Sequence, residues 1–194
     1  QGVINEIKDE AIDKDILLIS IAAGVKIEKI ESQLGSGMRV IRAMPNTPAS
    51  IMEGVTAICP NSNAQSNDIE NAKLLFECVG KIAHINEKDI DIFTALIGSG
   101  PAYVFYLIES LLDSSKNLHL SEQEKQNLLA SMIAGAANLV LNSEDPPSLL
   151  RKKVTSPGGV TQTAIEEFEA KGLKEIISKS MIAAEKKSIE LGED

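Results

Sequence analysis

The run Asp15-Ile16-Leu17-Leu18-Ile19-Ser20-Ile21-Ala22-Ala23-Gly24 decides the architecture of this chain. Its apolar residues are consecutive rather than alternating, and the run is short. That pattern predicts a strand covered on both faces, the kind found in largely parallel sheets flanked by helices. Working outward, Val3, Ile4, Ile7 and Ala11 recur at helical spacing before it, and Val25, Ile27, Ile30 and Leu34 after it. Met38-Arg39-Val40-Ile41-Arg42-Ala43, Val55-Thr56-Ala57-Ile58-Cys59 and Lys81-Ile82-Ala83-His84-Ile85 read as three more strands. Between the last two, Ile69, Ala72, Phe76 and Val79 mark a helix expected to stop at Gly80. Alternation of this kind predicts an α/β layer with largely parallel strands.

After Glu87 the strand signals vanish. Asp89 to Ile97 is helical in pattern, and Pro101 suits the first turn of a helix from Ala102 to Leu112. Ser121-Glu122-Gln123-Glu124 is a capping box ahead of a long helix ending near Leu141. Pro146-Pro147 resets the chain before Ser148 to Lys152, and two helices follow, Val160 to Lys171 and Leu173 to Leu191, separated at Gly172. The expected division is therefore an α/β domain over 1–86 and an all-helical domain over 87–194.

Composition excludes several functions. The net charge of -9 argues against a nucleic-acid surface or an anionic membrane as partner, and 3% aromatic content with no Trp argues against stacked-base recognition. No cleavable signal or apolar run of membrane-spanning length is read in the sequence, so a cytoplasmic location is expected. Cys59 and Cys78 have no metal-type spacing and are expected to be small buried apolar residues. His84 and His119 share no motif with a carboxylate or a cysteine, so neither a histidine triad nor a metal site is expected.

The chemistry-bearing pattern is Val154-Thr155-Ser156-Pro157-Gly158-Gly159-Val160-Thr161, which runs into a helical pattern. Proline stiffens the approach, and two glycines remove the Cβ atoms that would hold a ligand off the backbone. The helix that follows offers free N–H groups and a positive dipole end to an anion. Leu96-Ile97-Gly98-Ser99-Gly100-Pro101-Ala102-Tyr103 repeats the design, with Ser99 beside glycine and proline at a helix mouth. Two such termini facing one pocket would bind a small carboxylate without lysine or arginine. Ala22-Ala23-Gly24 and Arg42-Ala43-Met44-Pro45-Asn46-Thr47-Pro48 each follow a strand, where ligands of open α/β sheets bind. The small side chains of Ala22 and Ala23 admit a flat ring, and Asn46 and Thr47 offer hydrogen bonds to its substituents.

Together, Ser-Pro-Gly-Gly-x-Thr at 156–161, Gly-Ser-Gly-Pro-Ala-Tyr at 98–103 and the 42–48 segment resemble, in order and spacing, the signature segments of pyrroline-5-carboxylate reductases. The resemblance runs over essentially the whole chain. It implies reduction of 1-pyrroline-5-carboxylate to L-proline by NADPH or NADH, on a Rossmann-type domain followed by a helical domain that pairs as a homodimer or larger homo-oligomer. Carried over by motif, Glu87, Ser99, Gly100, Val154, Ser156, Gly158, Gly159, Val160 and Thr161 would bind substrate. Thr161 would be the catalytic hydroxyl facing the ring nitrogen. Ile21, Ala22, Ala23 and Asn46 would lie beside the cofactor.

Two departures are visible. No Gly-x-Gly-x-x-Gly turn follows a strand, so the phosphate-binding loop of the family is expected to precede Gln1, leaving these residues catalytically impaired by themselves. Lys153 replaces an asparagine that contacts cofactor in some members. The alternatives are a non-catalytic helical dimerisation module and a related β-hydroxyacid dehydrogenase. The latter would be expected to place a catalytic lysine within a helix, where Lys116, Lys125, Lys152 and Lys153 do not fit.

Overall fold

A computed structural model of the chain describes Glu6 and residues 16–193, and the helix expected at Val3, Ile4, Ile7 and Ala11 lies outside them. Four strands form one sheet in the order β1 (Leu17–Ser20), β2 (Arg39–Met44), β3 (Gly54–Pro60), β4 (Gly80–His84). Helix α1 (Ile27–Leu34) crosses from β1 to β2, and α2 (Ser66–Glu77) from β3 to β4, making both pairs parallel. The central pair β2–β3 is antiparallel, so the sheet is mixed. Pro45 to Glu53 holds only a short 3-10 turn (Thr47–Ile51), too little chain for the helical crossover that a parallel pair requires.

The two helices cover opposite parts of the core. Ile27, Ile30 and Leu34 of α1 are buried with Met38, Val40 and Cys59, while Ala72 and Phe76 of α2 pack with Ile41, Ala43 and Ile58. Each large side chain so buried contributes about 1.5–3 kcal/mol, which fixes the register of helix on sheet. Asp68 closes a capping box with Gln65 and also accepts from Arg39 at 2.8 Å, pinning the start of α2 to β2.

Gly80 has a different task from the one its sequence position suggests. It begins β4 at φ +149°, and a Cβ there would lie 2.0 Å from the Gly54 carbonyl oxygen. We expect Gly80→Ala to destabilise the assembled protein by about 3 kcal/mol in urea unfolding, through overpacking and backbone strain; a loss below about 1 kcal/mol would refute this. Cys78 also departs from expectation. It is exposed, because Ile69, Ala72 and Phe76 define the inward face of α2 and Cys78 falls off that phase.

Beyond β4 the chain is helical. A 3-10 turn (Glu87–Asp89), α3 (Ile90–Phe93) and a π-turn (Thr94–Gly98) lead into α4 (Gly100–Asp113). Then come α5 (Glu122–Leu141), α6 (Pro147–Lys153), α7 (Val160–Ala170) and α8 (Leu173–Glu193). The Ser121–Glu124 capping box is formed as its residues predict. Hydrogen bonding from Ser121 holds the Glu124 carboxyl below its usual range. Contacts gather into two compact units, Gln1–Pro101 with Ser180–Asp194, and Ala102–Lys179.

In the first unit the end of α8 meets the turn after β1. Ser188 Oγ donates to Asp91 Oδ1 at 2.7 Å, and a Cβ on Gly24 (φ +76°) would stand 2.8 Å from the Leu191 carbonyl oxygen. The second unit has almost no core of its own. Among the described residues of 102–179, Lys125 alone is buried. Contrary to the sequence expectation, the helical stretch Glu87–Asp113 is long and apolar enough to cross a membrane. A subunit interface accounts equally well for such an uncovered face.

Candidate active site

In the first unit, the candidate residues gather where β1 and β2 end. Ser20 pairs with Arg42, so Ile21, Ala22 and Ala23 leave the sheet beside the strand that continues to Met44, Pro45 and Asn46. Ile21 is 62% exposed and both alanines are exposed, which leaves an open, shallow edge against which a flat ring can lie. Asn46 is a bracket. Its Oδ1 accepts the Val55 N–H at 2.8 Å, and its Nδ2 donates to the Ile97 carbonyl at 3.2 Å. The Ser99-Gly100 corner is thereby tied to the same sheet end. The break before α4 is narrower than the sequence suggests, because the π-turn runs up to Gly98 and only Ser99, itself exposed, interrupts the helical backbone.

Glu87 sits apart from these residues. One carboxylate oxygen, Oε1, accepts from the Ile27 N–H at 2.7 Å and from Arg42 Nη1 at 3.2 Å, so it caps α1 and neutralises a buried arginine. Glu87 also lines a groove of about 620 Å³ with Ile27, Glu31, Cys59, Asn61 and His84, in which no other candidate residue takes part. Burial pushes the Cys59 thiol up to about 11, Glu87 raising it further and Arg42 opposing, so this buried sulfur stays protonated and inert at neutral pH. Arg42 is the residue that sequence reading missed here. A cation inside the apolar run Val40-Ile41-Arg42-Ala43 already demands a carboxylate partner.

In the second unit the signature loop joins α6 to α7. Thr155 Oγ1 donates to the Arg151 carbonyl at 2.6 Å, closing α6, and Gly158 turns the chain at φ +70°. Gly159 is the N-cap of α7 and offers no side chain. The N–H groups of Val160, Thr161 and Gln162 therefore have no partner among the described residues, and neither do the hydroxyls of Ser156 and Thr161. Val154 and Val160 are 66% and 90% exposed, an apolar rim beside a cluster of unused donors. Such a group of donors at a helix N-terminus suits a carboxylate. Gln162 was not singled out by the sequence. Its Oε1 accepts from the Gly158 N–H at 2.6 Å and its Nε2 donates to Glu166, holding the loop shut. The readable signal was a glutamine at the third helical position, which commonly reaches back to the chain before the helix. Lys153 pairs with Asp145.

Comparison with known proteins bears directly on this pattern. A family model described as pyrroline-5-carboxylate reductase dimerisation matches residues 87–191. The chain belongs to the pyrroline-5-carboxylate reductase family. The reductase of Pseudomonas aeruginosa is 38% identical, covering 94% of this chain and 67% of that protein. Pyrroline-5-carboxylate reductase 2 of Bacillus subtilis is 37% identical, covering 93% of this chain and 65% of its own length. The chain thus spans about two thirds of these reductases. A crystal structure of the Plasmodium falciparum pyrroline carboxylate reductase with NADP bound superposes with a TM-score of 0.91 at 38% identity, over 98% of this chain and 76% of that one. The α/β sheet followed by helices is accordingly the fold of this reductase family.

Proposed function

We propose that the protein reduces 1-pyrroline-5-carboxylate to L-proline, using NADPH or NADH, as part of proline synthesis. The observation that carries this reading is the set of unpartnered donors at the start of α7, on a chain whose relatives are reductases of that substrate. Residues 1–86 belong to the dinucleotide-binding domain in this reading, and 87–194 to a helical substrate-binding and dimerisation domain.

The substrate presents one carboxylate and one cyclic C=N bond. The backbone N–H groups of Val160 and Thr161, with Ser156 and the open turn at Gly158-Gly159, bind the carboxylate, while Val154 borders the ring. Glu87, engaged by Ile27 and Arg42, anchors the start of α1. NADPH or NADH, when bound, supplies hydride to the ring carbon and is oxidised as the C=N bond becomes C–N; the ring nitrogen takes a proton. In this reading the Thr161 hydroxyl, which has no partner among the described residues, donates to that nitrogen. Holding both reactants in register supplies much of the acceleration. Ile21, Ala22 and Ala23 fit the nicotinamide end, being small or open at the sheet edge, and Asn46 stands beside them.

The 194 residues contain no glycine-rich phosphate loop, so this polypeptide alone is expected to bind NADPH weakly and turn over poorly. Its carboxylate site should nonetheless respond to product. L-proline at a hundred times its dissociation constant should stabilise the protein by about 2.7 kcal/mol, roughly 5–10 °C in melting temperature. No shift at high millimolar L-proline would reject the substrate assignment, and tight NADPH binding would reject the expected weakness.

A further inference from the structure

We propose that Asn46 is a positioning residue that sets the Ile97–Gly100 corner through a hydrogen bond which the helix itself cannot make. In an α-helical register the Ile97 carbonyl would receive the N–H of residue 101, but residue 101 is proline and has none. The backbone responds with a π-turn over Thr94–Gly98, closed by the Ser99 N–H on the Thr94 carbonyl at 2.8 Å. The Ile97 carbonyl takes its donor from Asn46 Nδ2 instead, 51 positions away in the sequence. The other end of the same amide accepts the N–H of Val55, just inside β3.

One carboxamide thus joins three elements: the end of β2, the start of β3 and the turn that carries Ser99. Gly98 fits against this join, because a Cβ there would lie 3.3 Å from Met44 Cε. Only a side chain with donor and acceptor on one short stem can serve both partners, which makes asparagine the specific requirement. Under the reductase reading, on which the kinetic part rests, Asn46 fixes the distance between the Ile21–Ala23 edge and Ser99 without touching the reacting atoms.

The test uses the full-length assembled enzyme carrying Asn46→Asp, which keeps the acceptor for Val55 and removes the donor to Ile97. Amide exchange over residues 96–103 should quicken roughly tenfold while Val55 stays protected. The kcat/KM for 1-pyrroline-5-carboxylate should fall by a similar factor. Adding Pro101→Ala supplies the missing N–H to the Ile97 carbonyl and should restore exchange over 96–103 to near the parent rate. Unchanged exchange in Asn46→Asp, or no recovery in the double variant, overturns the proposal. If Asn46→Asp alone does not fold, folding of the double variant supports the proposal and its failure to fold overturns it. A parent enzyme that does not reduce 1-pyrroline-5-carboxylate refutes the function while the exchange measurements still decide the role of Asn46.

Discussion

Met132→Glu is expected to dissociate the protein and melt its helical unit in the same step. Leu128, Met132 and Leu139 lie four and seven positions apart along α5, on one face with Gly135 between them, and are 57%, 52% and 65% exposed within the chain. A Cβ added to Gly135 would meet nothing within 4 Å. Helices α4 and α7 leave Phe105, Tyr106 and Phe168 similarly uncovered, at 63%, 71% and 49%. Helices this short of buried apolar surface cannot offset their own conformational entropy, so the second unit needs a partner to supply its core. Its match to a dimerisation family points to a second copy of the chain. In a twofold interface each substitution counts twice. At about 2 kcal/mol for each buried, unpaired carboxylate, dissociation should strengthen by roughly a thousandfold. Sedimentation should show monomer, and the far-UV helical signal should fall together with it. For the parent, the melting temperature should drop on dilution, as it must when folding and association are linked. A Met132→Glu protein of parental size and melting temperature would show that this face is not the interface.

The strands were legible because they are apolar runs bounded by polar or glycine-rich chain, and the helices because their periodicity and caps are local. Strand direction was harder to read. β2 and β3 carry the same kind of apolar run as their neighbours, and only the brevity of Pro45–Glu53 betrays that they are antiparallel. The exposed side of Cys78 was readable from the phase of Ile69, Ala72 and Phe76, since a residue two positions beyond Phe76 points away from the sheet. At the candidate site, the anion-friendly start of α7 is a property of consecutive residues, and the sequence shows it directly. The tasks of Asn46 and Glu87 are different in kind. Their partners, Ile97 and Ile27, lie 51 and 60 positions away, and no local pattern announces such hydrogen bonds. Even there a partial signal existed. Pro101 leaves a carbonyl without its helical donor, and Arg42 inside a strand requires an acid, so the needs were visible before the residues that meet them.

Thr161→Ala in the full-length enzyme should lower kcat by about a hundredfold or more while leaving the fold intact. The two effects separate because the Thr161 side chain is exposed and its hydroxyl has no partner among the described residues, so its removal should change stability by less than about 0.5 kcal/mol. The expected loss follows from the chemistry at nitrogen. Hydride addition to the C=N carbon builds electron density on the ring nitrogen, which needs a hydrogen-bond donor at that moment. The second unit offers no histidine or cysteine in the signature loop, and the second residue of α7 is a threonine whose neighbouring N–H groups, in the proposed reading, would hold the carboxylate. A hydroxyl serves as donor and can pass on a proton received from water, so Thr161→Ser should recover most of the activity. Ser156→Ala probes the other task. Weaker grip on the carboxylate should raise KM for 1-pyrroline-5-carboxylate more than it lowers kcat, because a contact to the carboxylate would be made in the bound substrate as well as in the transition state. Equal kcat in Thr161→Ala and parent would remove the hydroxyl from the reaction and leave α7 a binding element only. A fall in melting temperature matching the fall in rate would assign Thr161 to structure instead.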